Sequence, residues 1–215
     1  MVSELTEVEV TEPSDTRRRI MTAALETVRE SGITGTSARA IAATGGFNQA
    51  LIFYHFGSVT NLLTEAARAS SAARVAAYRR MTDDVTSLSS LVDVARRLHD
   101  EAGRDGSVAV LTQLMAGAAA DTEMGQAILA GFEGWIDLVE DALDKALRGQ
   151  AIADALPARE AAYSISALFL GIELMARLDP DKSEAPAVFD ALHHFAEIIE
   201  SMPTLMGRFI KGPKR

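Results

Sequence analysis

Cysteine is absent from the sequence. That excludes a disulfide framework, a thiolate metal site and a cysteine nucleophile, and it fits a reduced compartment. No uninterrupted apolar run approaches the roughly 20 residues that a membrane span needs. The opening stretch, MVSELTEVEVTEPSD, lacks the basic n-region and apolar h-region of a signal peptide, so the expectation is a cytoplasmic protein without a membrane partner. Catalytic signatures are missing as well. There is no phosphate loop, no Gly-x-Ser-x-Gly elbow, no HExxH and no convincing pair of carboxylates. His193 and Glu197 stand four apart on a helical pattern, which reads as an exposed pair rather than half a metal site. The chain is not expected to be an enzyme or to carry a cofactor or metal.

What is present is unevenly charged. The net charge of −9 argues at face value against nucleic acid. Its distribution argues the other way. Residues 1–14 hold four acids and no base, residues 15–80 hold nine bases and four acids, and residues 81–215 hold twelve bases and twenty-two acids. A basic segment on an acidic body suits a molecule of which one end meets a polyanion, although chance clustering on a mixed surface gives the same count.

Helical spacing of apolar residues dominates, β-branched alternation is nearly missing, and the fold class is all-α. Residues 1–14 read as a disordered acidic arm. The first helix should start after Ser14-Asp15-Thr16 and stop at Gly32, with Ile20, Ala24, Thr27 and Val28 on one face. Arg17, Arg18 and Arg19 crowd its first turn, where cations are unfavourable unless an anion lies outside. A second helix opens at Thr36-Ser37, is broken at Thr44-Gly45-Gly46, and is followed by a third from Gln49, capped by Asn48. Two short helices around a glycine turn make a helix-turn-helix candidate. A fourth, from Ser58 or Val59 to about Met81, is long enough to leave this small domain. Further helices are expected near 84–103, 107–119, 123–148, 157–178 and 185–201, with Asp83-Asp84 and Asp121/Glu123 as helix-start acids. The expected domains are 15–60 and 61–215.

The segment FNQALIFYHF, residues 47–56, poses the functional question, because it holds four of the twelve aromatic residues and no formal charge. At about 100° per residue, Ile52 and Phe56 share one side of a helix and Phe47 can pack beside them. Ala50, Leu51 and Tyr54 then point the other way, flanked by Gln49, Phe53 and His55. Such a surface suits a DNA major groove: Ala or Leu touches a thymine methyl, Gln pairs with adenine or phosphate, and Tyr and His donate to phosphates. Burial of Leu51 and Tyr54 against another helix of the same chain fits the periodicity equally.

Residues 16–63 resemble the DNA-binding domain of the tetracycline-repressor-like (TetR) family. The resemblance is carried by Ile41-Ala42, Gly46, Ala50, Ile52-Phe53-Tyr54-His55-Phe56, Gly57-Ser58 and Leu62-Leu63, without a gap. It implies a three-helix N-terminal DNA-binding domain followed by a larger helical ligand-binding and dimerisation domain. It implies phosphate contacts from Thr36 or Ser37 with Arg39 nearby, and the arginines at 17–19, Arg17 first among them, are expected to compensate from the first helix for departures from the family pattern. Asn48 would cap the recognition helix, Gln49, Ala50 and Leu51 would face base edges, and Tyr54 and His55 would hold phosphates. Two positions depart from the family pattern. Phe53 stands where a Tyr is frequent and Val59 where a Lys is common, so two phosphate contacts are lost, with Thr60 or Asn61 as weak substitutes.

In the acidic remainder, AREAAYSISALFLGIELMARL is apolar nearly all round and must be covered on both sides. With the helix that follows, it supplies a candidate homodimer face of Tyr163, Ala167, Leu170, Leu174, Phe189, Leu192, Phe195 and Ile199. Burial within one chain is the plainer alternative. A pocket between the helices of 84–148 would be lined by Leu98, His99, Leu111, Gln113, Leu114, Met115, Phe132, Trp135 and Phe169, with Glu173 as an isolated polar group. Its apolar character points to a small hydrophobic effector. Trp135 and Phe132 read equally well as core. Glycines 117, 125, 131 and 134, costly inside helices, imply close packing or a movable segment.

These readings converge on a ligand-responsive regulator, a repressor released from a palindromic operator when effector binding tilts the fourth helix. The competing class is an all-α binding or scaffold protein whose first helices contact a protein partner.

Overall fold

The computed structural model describes residues 13–119, 121–150, 153, 156–178 and 183–210. Among them are nine helices and no strand, as the apolar spacing predicts: α1 Pro13–Gly35, α2 Ala38–Gly45, α3 Ala50–Phe56, α4 Val59–Met81, α5 Leu88–Asp105, α6 Ser107–Ala118, α7 Thr122–Leu147, α8 Ala158–Leu178 and α9 Ala185–Ile210. Residues 1–12 of the expected acidic arm, and the basic tail 211–215, lie outside the described residues. The chain divides into two compact units, one of residues 13–68 with Thr112–Ile128, the other of Ala69–Leu111 with the described residues from Leu129 onward.

In the first unit α1 packs on α2. Pro13 can open α1 because the first helical position needs no N–H partner. Ile20, Ala24, Thr27 and Val28 form the buried face expected of it. The Thr27 hydroxyl is satisfied by the Ala23 carbonyl at 2.7 Å and pairs with the Thr44 hydroxyl at 3.0 Å, tying α1 to the end of α2. The helix does not simply stop at Gly32. The chain leaves helical geometry there (φ 69°, ψ 173°) and resumes for a further turn to Gly35. Ser37 caps α2, its side chain accepting from the Ala40 N–H. Ser58 does the same for α4 through the Asn61 N–H at 3.0 Å.

The second unit is built on α5, which packs against α9 and α8. Tyr78, Val85, Val94, Leu98, Leu138 and Ala146 form one buried cluster, with Trp135 and Phe169 packed against it. Trp135 also joins a second cluster around Ile136, Val139 and Ala162. Arg159 of α8 is held by three carboxylates of α7: Asp137, Glu140 and Glu133. Its guanidinium is raised above the usual arginine range by the hydrogen bond to Asp137 first and to Glu140 second. Gly131 lets α7 approach α4, since an added Cβ would lie 2.5 Å from the Ser71 hydroxyl. Gly117 does likewise at Ile33, whereas Gly125 and Gly134 make ordinary contacts.

Two expectations change. Asp83 and Asp84 do not start a helix: α5 begins at Leu88, because Ser87 and Ser90 form a reciprocal capping box. Asp83 instead pairs with Lys145 at 3.6 Å. Asp121 does cap α7, accepting from the Met124 N–H at 2.9 Å. Secondly, α8 is long and apolar enough to cross a membrane by length and composition. The strict run-length reading missed it because Glu173 interrupts the run. That carboxylate is buried and paired with His99 of α5 inside the second unit.

Candidate functional site

The α2–α3 corner is set by three residues. Gly46 takes a left-handed conformation (φ 63°) and returns its N–H to the Ala42 carbonyl, a conformation that a side chain at this position would strain. Gly45 is overlain by the Phe47 ring, only 2.1 Å from where a Cβ would stand, with Ala23 on the same side. Asn48 Oδ1 then accepts the Ala50 N–H at 2.9 Å and starts α3.

The corner fixes which way α3 faces. Ile52 and Phe56 are buried, at 0% and 5% exposure. On the other side Tyr54 is 83% exposed and Phe53 51%. Asn48, Gln49 and Ala50 are exposed, and Leu51 and His55 half-buried. Burial of the Leu51/Tyr54 side beneath a neighbouring helix is therefore not what the structure contains. The Tyr54 ring stands edge-on to His55, centroids 4.9 Å apart.

Around this face, Ser37 and Arg39 are exposed, and Thr36 is half-buried with its hydroxyl donating to the Gly32 carbonyl at 2.8 Å. Arg17 is differently engaged from the compensating phosphate ligand expected of it. Its guanidinium donates to the His55 carbonyl, pairs with Glu65 and lies over the Phe56 ring, 4.3 Å from the centroid. Arg17 thus grips the C-terminal end of α3 and links it to α1 and α4. Periodicity could not reveal this, because the partners are 38 and 48 residues away. Arg18 pairs with Asp15 and Arg29 with Glu26. Thr60 and Asn61 are exposed, Val59 half-buried.

The expected pocket residues divide. Leu98, Trp135 and Phe169 do come together, with Trp135 between Tyr78 and Phe169 at centroid distances of 5.8 and 5.7 Å. Glu173 is not isolated: its Oε1 lies 2.5 Å from His99 Nδ1, and the His99 ring stands against Phe189. Leu111 and Phe132 are half-buried in the same unit. Gln113, Leu114 and Met115 belong to the other unit, where Gln113 Oε1 accepts the Ile33 N–H at 3.2 Å. Leu114 is buried there and Met115 exposed.

Of the expected dimer face, Tyr163, Ala167 and Phe195 are exposed, and Leu170, Leu174, Leu192 and Ile199 half-buried. Phe189 is a correction. It is 1% exposed, packed against His99 and beneath Arg96, because it falls on the side of α9 that meets α5. Leu168, Met175, Leu178, Ile198 and Met202 are further exposed apolar side chains of α8 and α9. Burial and exposure cannot be told apart on a helix that is apolar all round. His193 pairs with Asp93 at 3.1 Å and with Glu197 at 3.8 Å. No group of three potential metal ligands gathers among the described residues.

Comparison with known proteins bears on the same segment. Residues 20–66 match the family of bacterial regulatory proteins, tetR family. No curated protein is detectably similar in sequence. Solved structures share the fold over most of the chain. The fatty acid degradation regulator FadR from Bacillus halodurans is 17% identical, with a TM-score of 0.70 over 87% of this chain and 96% of its own. NemR from E. coli, in its reduced form, is 17% identical with a TM-score of 0.71 over 86% and 97%. The transcriptional regulator FadR from Bacillus subtilis, in complex with stearoyl-CoA, is 16% identical with a TM-score of 0.70 over 83% and 96%.

Proposed function

We propose that this chain, whose residues 20–66 match the tetR family of bacterial regulatory proteins, is a ligand-responsive transcriptional regulator that binds operator DNA through α3. The observation that carries the reading is the two-sidedness of α3, with Ile52 and Phe56 sealed beneath it, Ala50 and Tyr54 exposed on the other side and Leu51 half-buried beside them. An apolar helix face left open on a monomer calls for a partner. Ala50 and Leu51 suit thymine methyls, Gln49 an adenine edge, and Tyr54, His55, Ser37, Thr36 and Arg39 the phosphates on either side. Asn48 and Arg17 hold α3 at its two ends.

A single helix of this size reads few base pairs. Two copies related by a two-fold axis would place their recognition helices at half-sites about 34–36 Å apart or a multiple of it. The exposed apolar side chains of α8 and α9, Tyr163 and Phe195 among them, supply the pairing face. The effector is a small hydrophobic molecule bound in the larger helical domain. This is supported by the aromatic cluster around Trp135 and Phe169 and by the long acyl ligand held by one structural neighbour. Effector binding releases the operator, which makes the protein a cytoplasmic repressor.

DNA flanking the protein's own coding region, titrated at several salt concentrations, tests the reading. Binding should weaken steeply as salt rises, because phosphate counterions are released. A salt-insensitive complex, or none, would favour a protein partner for the first three helices. Linkage adds a second test: operator DNA must weaken effector binding by the same factor by which effector weakens operator binding. Equal effector affinity with and without operator would remove the switch.

A further inference from the structure

The compact unit that carries α3 is not confined to the N-terminal residues, because it includes Thr112–Ile128 from the middle of the chain. The reason lies at Gly32. Its φ of 69° and ψ of 173° carry the chain off the α1 helix, turning the Ile33 N–H away from the carbonyl four residues back. A backbone donor left without an acceptor in a part-buried place is unfavourable. Gln113 of α6 takes it, Oε1 accepting at 3.2 Å. The same oxygen lies 3.3 Å from where a Gly32 Cβ would stand. One turn further along α6, the lack of a side chain at Gly117 admits Ile33, whose Cγ1 would be 3.0 Å from an added Cβ, with Met124 Sδ beside it. The released turn is closed on its other side by Thr36, which donates its hydroxyl to the Gly32 carbonyl and its N–H to the Ile33 carbonyl. Ser37, the cap of α2, follows immediately.

We infer that Gln113 is a positioning residue for the DNA-binding face. By fixing the Ile33 N–H and seating Ile33 against Gly117, it sets the α1–α2 connection and so where the helix-turn-helix begins. The assignment rests on the DNA-binding reading above. It gives Gln113 a role other than pocket lining: its side-chain oxygen is committed to the backbone of the DNA-binding unit. Any movement of residues 112–118 along their helix axis removes the acceptor from Ile33 and the seat from its side chain together. The joint therefore makes the start of α2 dependent on where residues 112–118 of α6 stand.

The test compares full-length wild type with Gln113→Met, which keeps the volume and loses the acceptor, and Gln113→Glu, which keeps an acceptor oxygen. Gly117→Ala serves as an independent variant of the same joint. Residue-resolved amide exchange should show the Ile33 amide exchanging about fivefold faster or more in Gln113→Met, the loss of one ordinary hydrogen bond. Operator affinity should fall by a similar factor with helix content and oligomeric state unchanged, and Gln113→Glu should recover both. Gly117→Ala should lower operator affinity in the same direction. Unchanged Ile33 exchange in Gln113→Met would overturn the joint. Faster exchange with undiminished operator affinity would overturn the positioning role. Wild type that binds no DNA, yet shows the Ile33 difference, would overturn the functional reading and the positioning role with it, leaving only a structural hydrogen bond.

Discussion

Ile52 and Tyr54 lie two residues apart on α3, and burial assigns them opposite consequences on substitution. Ile52 is fully buried, so Ile52→Ala should cost about 2–5 kcal/mol of stability through lost transfer energy and the cavity left behind. Tyr54 is 83% exposed, so Tyr54→Ala should leave stability within about 0.5 kcal/mol. In operator binding the proposed hydrogen bond from its phenol to a phosphate is charge-assisted, and its loss should cost about 1.5–3 kcal/mol. Urea unfolding and operator titration of the two variants separate these effects. A Tyr54→Ala protein that unfolds early, or binds operator normally, would remove Tyr54 from the face. The inward direction of Ile52 was legible in the sequence from apolar residues four apart, whereas the openness of Tyr54 was not, because burial against another helix fitted the same periodicity. Arg17 was not legible. Nothing local distinguishes an arginine that reaches a phosphate from one that folds back onto Phe56 and Glu65.

Helices announce their ends through capping residues, and the accuracy of a boundary follows the clarity of the cap. Ser37 of the Thr36-Ser37 pair, Asn48, and Asp121 of the Asp121/Glu123 pair each accept a backbone N–H in the structure. At α5 the acids at 83–84 were read as the helix start, and the reciprocal pair of Ser87 and Ser90 sets it instead. Ser87→Ala should therefore destabilise the protein by about 1 kcal/mol, whereas Asp84→Ala, exposed and outside the helix, should change stability by less than about 0.5 kcal/mol. Thermal unfolding of both variants decides between the caps. At α3 the helix is too short to stand alone, so its anchorage matters more than its propensity. Arg17→Met removes the guanidinium that joins the His55 carbonyl, Glu65 and the Phe56 ring. The expected result is a loss of about 1 kcal/mol of stability, discounted for its partial exposure. Operator affinity should fall further than that loss explains, because α3 is no longer held in one orientation. A fall in stability with operator affinity intact would show that Arg17 braces the domain without orienting α3.

For the whole molecule the open question is what covers α8 and α9. Tyr163, Met175, Leu178 and Phe195 are between 61% and 81% exposed, an apolar surface that a folded monomer seldom leaves in water. The uniform apolar pattern of α8 does not say which of its residues are buried, and on α9 Phe189 of the expected face is in the core. The proposed dimer predicts a linked pair of results. Phe195→Glu with Met175→Glu would bury two charges without partners in that interface and should give monomers by sedimentation equilibrium, with helix content preserved because both positions are open in the single chain. Operator binding should persist at reduced affinity, since each α3 face remains intact. The slope of log affinity against log salt should fall to about half, because a monomer neutralises half as many phosphates. If the double variant stays dimeric, another surface joins the two copies. If it is monomeric yet keeps the full salt slope, the wild type was binding DNA one chain at a time, and the palindromic operator goes with the dimer.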